Sequence, residues 1–197
     1  MTTTAKPKQK IRFSKAFWVA NTVELFERAA YYGVFIVITL YLSRILGFND
    51  MQAATIAGTF SAFLYLLPTF AGALADKIGF RNSMLLAFTL LTLGYSGLAL
   101  FPTWLESTGM VEYGQTTTFK GLQDSGIKYG IIPIMVLIVI GGAFIKSVIS
   151  GTVARETSED TRAKGFAIFY GMVNIGAFSG KTIVKPLREA LGNEGFI

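Results

Sequence analysis

Cysteine and histidine are both absent from this chain of 197 residues. Without them there is no disulfide framework, no thiol nucleophile, no Cys/His zinc site and no histidine general base. Charge is scarce as well. Charged residues make up 15% of the chain, where a soluble domain carries about 25%. No Gly-x-Ser-x-Gly elbow is present to present a serine nucleophile. An enzyme is therefore not expected, and neither is a metal nor a cofactor.

What the chain does have is apolar sequence in long blocks. Hydrophobic residues account for 52% and mean hydropathy is +0.51. About 20 consecutive apolar residues cross the roughly 30 Å hydrocarbon core as a helix. Five such spans can be drawn, over about 17–46, 53–75, 84–101, 130–153 and 166–187. Gly195-Phe196-Ile197 reads as the opening of a sixth. The fold class expected is an all-α membrane bundle.

Lys6, Lys8, Lys10, Arg12 and Lys15 precede the first span. A signal peptide starts in a similar way, but this apolar run is broken at Glu24, Glu27 and Arg28 and lacks a small-residue cleavage site. Residues 1–15 are read as a basic tail and 16–197 as the bundle. Lysines and arginines concentrate on the cytoplasmic side of membrane proteins. The tail, Lys77, Arg81, Arg155, Arg162 and Lys164 lie on one side, against Arg44, Lys120, Lys128, Lys185 and Arg188 on the other. That asymmetry predicts a cytoplasmic N-terminus in a multi-pass protein of the plasma or bacterial inner membrane. It also assigns the net charge of +6 to the bilayer surface rather than to nucleic acid. The long connection 102–129 is placed on the opposite side.

Glu24, Glu27, Arg28, Tyr31 and Tyr32 form one stripe on the first helix, at offsets of 3, 4, 7 and 8 from Glu24. Glu27 lies roughly 15 Å into the span at 1.5 Å per residue, near mid-bilayer. Each such charge costs about 2.5–3.5 kcal/mol to insert. An i,i+4 pair between Glu24 and Arg28 recovers part of that cost and leaves Glu27 without a partner on its own helix. The stripe must therefore face a polar cavity or polar groups on other helices. A carboxylate held there is pulled toward its neutral form by burial and toward its charged form by the arginine. That balance suits proton uptake and release. The alternative is a structural ion pair inside the bundle.

Glu24-Leu-Phe-Glu27-Arg28-Ala-Ala-Tyr31-Tyr32-Gly33 resembles the ExxER(F)xYYG motif of the proton-dependent oligopeptide transporters, of the major facilitator type. The family's Phe is Ala29 here, a change expected to alter local packing. After the second span, Gly72-Ala-Leu-Ala-Asp76-Lys77-Ile-Gly79-Phe-Arg81 is similar to the loop shared across major facilitators, where a glycine turn and flanking charges hold a conformational-switch loop. In the fifth span, Phe169-Tyr170-Gly-Met-Val-Asn174-Ile-Gly176 resembles the family's FYxxxNxG signature. Gly171, Gly176 and Gly180 suggest close helix contact. Asn174 is expected to be buried and to need a partner. Lys181 and Lys185 read as interfacial anchors.

Lys146 lies inside the fourth span, where the family also has a lysine, often followed by Pro. Ser147 follows here. The resemblance covers about 17–176. It implies the N-terminal bundle of a twelve-helix carrier that imports di- and tripeptides with protons, its substrate site shared with a second half. Arg28 and Lys146 would hold the peptide carboxylate, Tyr31, Tyr32, Tyr65 and Asn174 would line the pocket, and Glu24, Glu27, Arg28 and Lys146 would couple protons. A facilitator for another anionic or zwitterionic solute, such as an amino acid or nitrate, is the alternative.

Overall fold

The computed structural model describes residues 12–109, 111, 113, 122 and 125–191. All regular structure among them is helical. Five long helices run in chain order: α1 (Lys15–Leu40), α2 (Asp50–Ile78), α3 (Phe80–Ser107), α4 (Ile131–Arg155) and α5 (Glu159–Leu191). All five are long and apolar enough to cross a membrane. The opening of a sixth span and most of the basic tail lie outside the described residues.

Local chemistry sets the ends. Ser14 caps α1 by accepting the Phe17 N–H at 3.1 Å. Asn49 and Gln52 close a reciprocal capping box at the start of α2. After Leu40 the chain widens into a π-helical turn, Tyr41–Ile45, and leaves it through Gly47 at φ 71°. Gly79, at φ 85°, makes the entire connection between α2 and α3. Both are left-handed positions that glycine occupies without a Cβ penalty.

α4 is the hub, packing on α3, α2 and α1, while α1 packs chiefly on α5. Small residues bring the backbones together, as in other membrane bundles. A Cβ at Gly94 of α3 would meet Ile138 of α4, and one at Gly141 of α4 would meet Leu91 and the Ala87 carbonyl of α3. Gly176 and Gly180 of α5 lie against the backbone carbonyls of Leu25 and Ala29 of α1. The expected glycine contact is made by these two. Gly171 has nothing within 4 Å. Ala29, where the family has Phe, is thus a seat for Gly180.

The sequence places the fifth helix start near 166, but α5 begins at Glu159. Its first turns are polar, with Glu159 and Asp160 at the positive end of the helix dipole. Hydropathy marks the lipid-crossing part and misses such a turn.

Candidate functional site

The charged stripe of α1 turns into the bundle. Glu24, Glu27 and Arg28 are 1%, 7% and 3% exposed. Arg28 Nε lies 3.4 Å from Glu24 Oε1, the predicted i,i+4 pair. Glu27 departs from expectation. Its Oε2 sits 2.5 Å from both Nε and Nη2 of Arg28, so the adjacent residue is the tighter partner. Neighbours in sequence point about 100° apart on a helix, but both side chains here are long enough to curl to one side. Glu27 Oε1 faces α4, about 3.9 Å from where a Cβ on Gly142 would stand. The tighter neighbour of that position is Leu64 of α2, at 3.1 Å.

One turn beyond Gly142 on α4, Lys146 is within electrostatic range of Arg28, Glu24 and Glu27. It is only partly buried. Its ammonium sits 4.4 Å over the ring of Tyr65 from α2. Ser147, in place of the family's Pro, donates from Oγ to the Pro68 carbonyl at 2.6 Å and to Ala143 O at 2.9 Å. The hydroxyl thereby ties α4 to α2 beside the lysine.

The tyrosines divide. Tyr31 is buried, stacks on Phe35 and Phe60, lies 5.1 Å beneath the Arg28 guanidinium, and has its hydroxyl 3.5 Å from Ser61. Tyr65 is 53% exposed and neighbours Tyr32. Asn174, expected to be buried, is exposed. It stands on α5 two residues before Gly176, so it flanks the face pressed against α1. Lys181, read as an anchor, instead holds its ammonium 4.9 Å over the Tyr32 ring.

Two residues the sequence reading passed over belong to the same region. Asn21 is fully buried one turn below Glu24; its Nδ2 donates to Phe17 O at 2.8 Å and its Oδ1 has no partner. Glu24 Oε2 also lacks one. Asn21 continues the stripe at i−3, a spacing that could have flagged it. Tyr95 of α3, with a buried hydroxyl lacking a partner, faces the cluster within range of Glu27 and Arg28.

The loop motif sits at the end of the bundle where α2 turns into α3. Gly72 packs on Ser147, 3.7 Å from a Cβ position. Asp76 pairs with Arg155 at the end of α4 at 3.7 Å, both side chains well exposed. Lys77 and Arg81 are exposed. Gly72, Asp76, Gly79, Ser147 and Arg155 line a small cavity of about 230 Å³.

The family model of the Major Facilitator Superfamily matches residues 17–184. The chain belongs to the Major Facilitator Superfamily. Its curated relatives in that superfamily include dipeptide and tripeptide permease A of Salmonella typhimurium, 31% identical over 168 residues, covering 83% of this chain and 29% of the permease. The Escherichia coli K12 permease A is 30% identical, with the same coverage. That of Erwinia pyrifoliae is 28% identical over 182 residues, 90% of this chain and 32% of the permease. The chain spans about a third of the length of these relatives. The resemblance to the oligopeptide transporters, drawn from three motifs, is borne out.

Proposed function

We propose that this chain forms one bundle of a carrier that moves di- and tripeptides together with protons across the cell membrane, N-terminus in the cytoplasm. The observation that carries the reading is the Glu24–Arg28–Glu27 cluster, buried at mid-span with Lys146 beside it. The permease names of the relatives supply the substrate class.

The charges suggest how coupling works. Two carboxylates and two cations sum to zero when all are ionised. A proton taken up by Glu24 or Glu27 leaves one surplus positive charge near Arg28 and Lys146. A peptide's terminal carboxylate neutralises it, so proton and peptide are favoured together. The guanidinium that a protonated Glu releases becomes free to bind that carboxylate. Each protonation state then favours a different set of helix contacts, as coupled transport requires. Tyr31, Tyr32, Tyr65 and Asn174 are the proposed pocket lining. The loop of Gly72, Asp76, Lys77, Gly79 and Arg81 is the proposed switch at the cytoplasmic end, with residues 1–15 as a tail on that side. The exposed Tyr65 and Asn174 fit a surface completed by a second transporter half, which would supply the acidic partner for the peptide's amine.

The test is uptake of labelled dialanine into proteoliposomes by the protein in the length its gene encodes. We expect saturable uptake driven by an inward proton gradient. Glu24→Gln should abolish gradient-driven accumulation while sparing peptide exchange. Equal uptake with and without the gradient sinks the coupling. Competition by nitrate or free amino acids, but not by dipeptides, favours the other facilitator reading.

A further inference from the structure

Lys181 is a cation whose position the coupling scheme leaves unused. It lies on α5, six residues before the span ends at Leu187, roughly 9 Å of helix. A lysine at that depth can snorkel to the interface. Here the side chain turns instead over the ring of Tyr32. Tyr32 is a neighbour of Tyr65, and Tyr65 lies under Lys146. The result is a continuous arc from four helices: Lys146 of α4, Tyr65 of α2, Tyr32 of α1 and Lys181 of α5. Among the described residues no carboxylate pairs with either lysine.

Charge decides what the arc can receive. Among the described acidic residues, only Glu24 and Glu27 lie deep within a span, and both are committed to Arg28. Adding Lys181 to Arg28 and Lys146 gives three cations against two carboxylates. Lys181 thus stands outside the balanced set of Glu24, Glu27, Arg28 and Lys146, as a further cation with no carboxylate partner among the described residues. Lys146 accounts for one carboxylate of a bound peptide. Lys181, at the other end of the tyrosine pair, is open to a second.

We propose that Lys181 is a specificity residue that recognises a second carboxylate on the substrate, so that the carrier prefers peptides bearing an acidic side chain. This rests on the peptide reading above. The ring of Tyr32 holds the ammonium in place, a contact of moderate strength that an incoming anion can share or replace.

The experiment compares Ala-Glu with Ala-Gln, which differ by one charge and little in shape, as competitors of labelled dialanine uptake. Wild type should bind Ala-Glu roughly two- to fivefold more tightly, the worth of one partly solvated ion pair. Lys181→Gln should erase that preference and leave Ala-Gln inhibition unchanged. Lys181→Arg should retain it, and raised salt should shrink it. Equal weakening of both peptides by Lys181→Gln marks a packing role and overturns the proposal, as does a preference that survives the substitution. No dialanine uptake by wild type overturns the peptide reading itself, and this inference with it.

Discussion

The cluster around Arg28 and the arc from Lys146 to Lys181 are made of the same kinds of residue in adjoining parts of the bundle, yet their settings are opposite. In the cluster, one guanidinium is held by two carboxylates, all three at 7% exposure or less. In the arc, two ammonium groups rest on half-open tyrosine rings and have no carboxylate among the described residues. A buried, saturated group of charges responds to removal or addition of one charge with a large free-energy change. An open, unsaturated one responds to whatever anion diffuses to it. The first setting suits the proposed proton coupling; the second suits the proposed recognition of a ligand.

The sharpest way to break this contrast is Arg28→Ala. It strands two buried carboxylates, at a cost of about 3–5 kcal/mol, and thermal unfolding in detergent should show a large drop or no folded protein. Recovery of folding on adding Glu27→Gln to that variant would confirm the electrostatic cause. Next comes Lys146→Gln, on the open side. Melting should change little, but peptide affinity should fall about tenfold, the loss of one charge-assisted hydrogen bond of about 1.5 kcal/mol. A melting drop comparable to that of Arg28→Ala would erase the distinction between the two regions. The smallest effect is expected from Asp76→Asn, which removes the exposed partner of Arg155. Stability should shift by less than about 1 kcal/mol. A transport defect there without a stability change would point to the switch loop, measured as a reduced uptake rate at unchanged affinity.

The five helices and their order were legible because apolar runs of this length have one common explanation, and Glu24 with Arg28 because four residues make a turn. Three features were hidden for specific reasons. Glu27 joins Arg28 although it is the adjacent residue, because both side chains curl to one side of α1, and no i,i+4 spacing within α1 encodes that. Lys181 has the depth of an anchor, and the ring that holds it belongs to a helix about 150 residues earlier. Asn174 carries a motif and was expected inside, but the glycine face beside it, not the amide, is what meets α1. Periodicity along a helix says which residues share a side; it does not say which neighbour that side meets.

Gly180 touches the Ala29 backbone, and Gly33 in turn approaches Gly180. Main chain resting on main chain leaves no rotamer to adjust, so sliding α1 past α5 would mean lifting the two apart. Whatever rocking the bundle undergoes, these two rods would travel together. The gap between Tyr32 and Lys181 would then stay at one calibre throughout the cycle, while the distance across to Lys146 on α4 is free to vary.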